Sequence, residues 1–112
     1  MSCEIPTLWR ETVVRLLRHG VESQVLIRRR ARQDWSDLFS DEFDWNLREA
    51  MAEALSARSV SGKRQWMDEP GETYAFIFTY RDRKVYGKIN LTDPDCLVII
   101  YSAHRPLQGE DL

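Results

Sequence analysis

Side chains able to handle a phosphodiester gather in the second half of the chain. His104 could act as acid or base near neutral pH. Tyr86 could position or donate a proton. Lys63, Arg64, Arg81, Lys88 and Arg105 could bind phosphate and stabilise developing charge. Trp66 follows Lys63-Arg64-Gln65, and an aromatic beside cations can stack a base while they hold its phosphate. RNA carries its own nucleophile, the 2′-hydroxyl. An enzyme that cuts it must supply a base for that proton, an acid for the leaving 5′-oxygen and cations for the charged phosphorane. The residue types present suit that metal-free reaction. Tyr86 and Lys88 are two apart and share one face of an extended strand. Strict alternation sends Tyr101 and Ser102 to opposite faces, with His104 on the side of Ser102.

Other chemistries find less support. There is no Gly-rich phosphate loop and no HExxH, and Cys3 and Cys96 lack zinc spacing. The acidic residues lie in expected helices and turns, so neither a metal site nor a cofactor is expected. Each singled-out residue also has a plainer role. A histidine at a strand end can be a hydrogen-bonded cap, and a tyrosine on a sheet is usually packing. The Arg28-Arg29-Arg30 run with Arg32 is a phosphate clamp or a solvated helix face. The combination, not any one residue, points to phosphodiester chemistry.

Three β-type runs must position these groups: Tyr74–Tyr80, Lys84–Leu91 and Cys96–Ser102. The turn Arg81-Asp82-Arg83 joins the first two, and Thr92-Asp-Pro-Asp95 joins the last two. Turns this short make hairpins and forbid a parallel crossover, so the sheet is expected to be antiparallel. Ahead of it, a first helix starts near Pro6-Thr7, with Leu8, Val13, Leu16 and Leu17 at helical spacing and Gly20 as its stop. Residues 21–33 read as a second short helix with a basic face, although Val25-Leu26-Ile27 favours a strand. Asp34 to Phe43 is polar and aromatic. Asp44 is a good N-cap for a third helix, whose Leu47, Ala50, Met51, Ala54 and Leu55 form one stripe. Ser56 to Gly71 reads as a loop. Helices followed by strands argue an α+β class, with N-terminal helices on one face of a small antiparallel sheet.

At 112 residues the chain is expected to be one domain, helical over about 6–57 and sheet over about 72–106. The net charge of −2 does not mark a basic nucleic-acid binder as a whole. Arg58 to Arg105 nevertheless carries eight Lys/Arg against six Asp/Glu, whereas residues 1–57 carry eight against ten. Two cysteines cannot build a disulfide framework, and no apolar run reaches transmembrane length. A cytoplasmic protein with reduced thiols and no membrane partner is the expectation.

Tyr86-Gly-Lys-Ile-Asn-Leu91, a short turn and Val98-Ile-Ile-Tyr-Ser-Ala-His104 resemble the C-terminal hairpin of the MqsR-type mRNA interferase toxins. That family belongs to the RelE/barnase-like microbial ribonucleases. The order upstream is similar: a helix around Phe43–Ser56, a segment bearing Lys63, then the sheet. The resemblance covers about residues 43–104. It implies that the family's catalytic Lys falls on Lys63 or Arg64, its strand Tyr on Tyr86, and its final basic residue on His104. This chain has His where the family has Lys. The family's Gln lacks a clear counterpart, with Thr73 and Tyr74 nearest its position. The resemblance implies a toxin-like endoribonuclease acting on single-stranded RNA, with a neutralising antitoxin or immunity protein as partner. A non-catalytic module binding protein or nucleic acid through the same sheet is the alternative. A third reading is an assembly subunit using Trp9, Trp35 and Trp45 as contacts.

Overall fold

The computed structural model describes residues 5–57, 59–92 and 97–107. Cys3, Cys96 and most of the Thr92–Asp95 turn lie outside the described residues. The class is α+β, and the described residues form three α-helices and a five-stranded open sheet.

Helix α1 (Thr7–His19) follows Pro6, whose carbonyl accepts a 3.0 Å hydrogen bond from the Arg10 amide. It buries Trp9, Val13, Leu16 and Leu17. Leu8, expected in this stripe, is 78 % exposed, because positions 9, 13, 16 and 17 share the face that meets the core. The expected helix over 21–33 divides instead. A 3₁₀ turn (Glu22–Gln24) leads into strand β1 (Val25–Ile27), and helix α2 (Arg29–Leu38) follows. Pairing decided the ambiguous triplet: Val25, Leu26 and Ile27 lie opposite Val98, Ile99 and Ile100. Helix α2 extends through Asp34–Leu38, which lacked a helical signal, because Ala31 and Trp35 bury at i, i+4. Helix α3 (Asp44–Ser56) starts one residue earlier than expected, at Asp44 itself. Phe43 occupies the cap position, and its amide donates to Asn46 Oδ1 at 2.7 Å. Asp44 instead favours the first turn electrostatically and pairs with Arg32 at 2.9 Å. Leu47, Ala50, Met51 and Leu55 are buried as the stripe required.

Strands β3 (Glu72–Tyr80), β4 (Arg83–Thr92) and β5 (Leu97–His104) are consecutive antiparallel neighbours, as expected from their short turns. Two further strands extend the sheet, and one of them corrects the purely antiparallel picture. Part of the expected 56–71 loop is β2 (Gly62–Gln65), antiparallel to β3. Strand β1 is parallel to β5, so the sheet is mixed, with order β1-β5-β4-β3-β2. The β3–β4 turn has positive φ at both Arg81 (50°) and Asp82 (64°), the twist a two-residue hairpin needs.

The helices lie on one face of this sheet. The core gathers Val25, Tyr74, Phe76, Phe78, Val85, Ile89, Val98, Ile100 and Ala103 with the buried stripes of α1, α2 and α3. Gly87 belongs to this face. A Cβ there would lie 3.0–3.1 Å from the Phe76 ring and Met51 Cε, so its absence seats α3 on the sheet. Trp9 and Trp35 are buried and only Trp45 of the three tryptophans is exposed, which removes two of the contacts the assembly reading used.

Two arginines lock α1 antiparallel to α3. Arg10, near the start of α1, donates to the carbonyls of Leu55 (2.7 Å), Ala57 (3.1 Å) and Val60 (2.7 Å) at the end of α3. Arg48, near the start of α3, donates to Leu17 (2.9 Å), Leu16 (3.2 Å) and Gly20 (2.6 Å) at the end of α1. Each cation satisfies carbonyls that a helix C-terminus leaves unpaired and meets its negative end.

Leu55 is fully buried between these layers. Leu55→Ala is expected to cost roughly 2–5 kcal/mol, the transfer and cavity terms together, measured by urea denaturation. A loss below about 0.5 kcal/mol would mean the stripe does not pack as described.

Candidate functional site

The sheet face away from the helices carries the chemistry. Register and alternation put Lys63 of β2, Ala75 of β3, Lys88 of β4 and Ser102 of β5 in one row across four strands. The neighbouring row holds Ile77, Tyr86 and His104. The row beyond holds Thr79 and Lys84. Among the described strand residues, this face presents Lys63, Lys84 and Lys88 and no carboxylate. A chain of net charge −2 thus has one basic sheet face.

Tyr86 and His104 are directly opposed and stacked, with ring centroids 5.1 Å apart and planes 15° apart. The tyrosine is buried and the histidine half-buried. His104 Nδ1 lies 2.8 Å from the Arg105 carbonyl oxygen. A carbonyl can only accept, so Nδ1 carries the proton of this bond. In the neutral ring Nε2 is then the basic nitrogen.

A β-bulge falls between the Lys88–Ser102 and Ile89–Ile100 pairs and leaves Tyr101 as the extra residue. Tyr101 and Ser102 therefore do not alternate as expected. The Tyr101 ring meets Lys88, whose Nζ is 6.0 Å from the centroid, and Arg28, whose Cζ is 5.5 Å from it. Arg28 enters from the end of β1, held by its amide to the Ile100 carbonyl at 3.0 Å.

The connection from β2 to β3, residues 66–71, reaches over this same face. Its Glu69 accepts a 2.7 Å bond from Arg28, beside the opposite edge strand. Beneath it, Thr73, Asn90 and Ile99 are buried although no helix covers them. The polar pair is satisfied: Asn90 Nδ2 donates to Thr73 Oγ1 at 2.9 Å, and Thr92 Oγ1 donates to Asn90 Oδ1 at 2.8 Å. The strap returns to β3 through Gly71 at φ 103°, where a Cβ would lie 2.1 Å from the Leu91 carbonyl oxygen. No other residue fits there.

Burial first, and then the Glu69 carboxylate, push the Tyr101 phenol up to about 12, while Arg28 acts in the opposite direction. The hydroxyl is buried without a well-aligned hydrogen bond, so its link to Glu69 is a close contact. That contact chiefly holds Glu69 below the usual carboxylate range, with its own backbone amide and Arg28 adding to the effect.

The structure brings Lys63, Tyr86, Lys88 and His104 to this face, and exposed Arg105 follows His104. It does not bring the others. Arg64 alternates to the opposite side, stacks on Trp66 at 4.2 Å and over Tyr74 at 5.8 Å, and lies 3.6 Å from Glu72. Trp66 goes with it and is 82 % exposed. Arg81 sits at the hairpin tip, paired with Asp41 at 3.0 Å and Glu42 at 3.4 Å. Arg28, Glu69, Lys84 and Tyr101 were not singled out from sequence for this face. Alternation from Tyr86 could have found Lys84; a bulge and a strap leave no local signal for the rest. Elsewhere, a groove of about 820 Å³ runs along α1 beside Leu55. Its Arg10 and Arg18 are already engaged, Arg10 with the α3 carbonyls and Arg18 with Glu49 and Glu53. Among the described residues no three His, Cys, Asp or Glu side chains gather as a metal site, and no helix is long and apolar enough to cross a membrane.

Comparison with protein-family models, with curated proteins and with solved structures finds no match. The face must be read from its own residues. Alkaline titration followed by phenolate absorbance is expected to show Tyr101 and Tyr80 ionising near 12, Tyr80 chiefly through its hydrogen bond to Glu42. Both values are raised, so the stability gained from neutral phenols is complete below about pH 10 and lost as pH rises through the folded values. Tyr101→Phe should remove one late phenol. All four tyrosines ionising together near 10 would contradict this packing.

Proposed function

We propose that the chain is a toxin-like endoribonuclease that cuts single-stranded RNA without a metal, on the open sheet face. The observation that carries the reading is the convergence of Lys63, Lys88, Tyr86 and His104 on one carboxylate-free strand surface. Lys63 and Lys88, two strands and so roughly 9–10 Å apart, can track a phosphate backbone. Tyr86 holds the His104 ring flat, and the Nδ1–H bond to the Arg105 carbonyl selects Nε2 as the basic nitrogen.

In this reading Nε2 takes the proton of the 2′-hydroxyl. The 2′-oxygen bonds to phosphorus, and the bond to the 5′-oxygen breaks. The leaving 5′-oxygen takes a proton from solvent water, the His104 imidazolium returns its proton to solvent, and a 2′,3′-cyclic phosphate remains. Lys63 and Lys88 stabilise the doubly charged phosphorane. Lys63, rather than Arg64, is the cation suited to this work, because Arg64 is engaged on the other face. A neutralising partner for such an enzyme would present carboxylates to the same lysines.

Purified protein incubated with mixed RNA should cut it equally with and without EDTA, leave cyclic phosphate ends and spare DNA. His104→Ala should slow cleavage about 10²–10⁴-fold while circular dichroism stays unchanged. Lys88→Ala should weaken RNA binding and lower its salt dependence by about one phosphate contact. Full cleavage by His104→Ala, or cleavage lost in EDTA and restored by magnesium, would refute the mechanism. A wild type that binds RNA but never cuts it would make this face a binding module.

A further inference from the structure

We infer that Arg28, Lys88 and Tyr101 form a second phosphate subsite on this face, occupied in the free protein by the Glu69 carboxylate, which an incoming RNA phosphate displaces. The inference rests on the open face being the RNA-binding face. It adds a site beyond the Tyr86–His104 pair and a self-blocking contact.

The geometry is that of an anion notch. Arg28 and Lys88 both approach the Tyr101 ring, at 5.5 and 6.0 Å from its centroid. They come from separate elements, the end of β1 and the middle of β4, so each is fixed by the sheet. The bulge at Tyr101 is what brings the ring between them. The buried Tyr101 hydroxyl lies against the Glu69 carboxylate without a well-aligned hydrogen bond, and the same O–H can donate to an anion oxygen that replaces it. Glu69 supplies the anion now present, 2.7 Å from Arg28.

Two features make Glu69 a replaceable occupant. The pair is open to solvent, with the Arg28 and Glu69 side chains 48 % and 34 % exposed, and such pairs are weak and salt-screened. A phosphodiester offers the same charge to the Arg28 guanidinium and the Tyr101 hydroxyl, with the Lys88 ammonium beside the same ring adding longer-range attraction. Glu69 sits on a strap between Trp66 and Gly71, so losing its bond to Arg28 need not disturb any strand. The notch lies one residue along β5 from Ser102, in the Lys63–Lys88 row. A strand bound at Tyr86–His104 would reach it with a neighbouring phosphate.

The test uses a single-stranded 2′-O-methyl oligoribonucleotide, which cannot be cut, with affinity read by fluorescence anisotropy across a salt series. Glu69→Gln is expected to bind about two- to fivefold more tightly than wild type, because no carboxylate competes. Arg28→Ala should lose more affinity in the Glu69→Gln background than in wild type, where Arg28 is already neutralised. Tyr101→Phe should weaken binding by Glu69→Gln while leaving the fold intact by circular dichroism. Unchanged or weaker binding by Glu69→Gln, or equal losses for Arg28→Ala in both backgrounds, would overturn the subsite. Absence of oligonucleotide binding in wild type and Glu69→Gln alike would overturn it together with the RNA reading. Tighter binding by Glu69→Gln in a protein that cuts no RNA would sustain the subsite and defeat only the catalytic assignment.

Discussion

Arg10 and Arg48 each close the end of the other's helix, and the helical layer depends on that exchange. A helix C-terminus leaves carbonyls that must find donors. Here the donors are guanidinium groups from the neighbouring antiparallel helix, so pairing and capping are one event. The joined helices present a single apolar surface with Val13, Leu17, Leu47, Met51 and Leu55 in it. That surface can cover only one side of a five-stranded sheet. The other side stays free of helices and carries Lys63, Lys84, Lys88 and His104 among apolar neighbours such as Ile77 and Ile99.

The two faces therefore do different work with the same alternation. Phe76, Val85, Ile89 and Ile100 build the core, and Lys63, Tyr86, Lys88 and His104 stand between them on the far side. Each functional side chain is held by a strand whose alternate residues are buried. That coupling gives the open face a rigidity that a loop site lacks. The strap over residues 66–71 is the exception. It is tied down by the Glu69–Arg28 ion pair, the Glu69–Tyr101 contact and Gly71, and it closes only part of the surface.

Much of this was legible in the chain. Tyr74–Tyr80 and Lys84–Leu91 alternate around a short turn, so their pairing followed from local sequence. Counting by two put Tyr86 with Lys88 and Ser102 with His104, but that the two pairs meet on one face depends on the β4–β5 register. What failed was long-range. Val25–Ile27 is too short to read as a strand until Val98–Ile100 pairs with it. Lys63 and Arg64 looked equivalent until β2 formed and sent adjacent residues to opposite faces. Tyr101 was assigned against Ser102 by strict alternation, and one bulge reversed that. Arg10 and Arg48 carry no cue that their targets are another helix's carbonyls.

The helix-free face is the proposed nucleic-acid-binding surface. Backbone amide shifts of ¹⁵N-labelled protein titrated with the 2′-O-methyl oligonucleotide test it without requiring turnover. The shifting amides are expected to cluster on the rows of Lys63, Tyr86, Lys88, Ser102 and His104 and on the strap around Glu69. The helical stripes of α1 and α3 should stay still. Shifts confined to the helical layer, or to the Arg64–Trp66 stack on the opposite face, would contradict it.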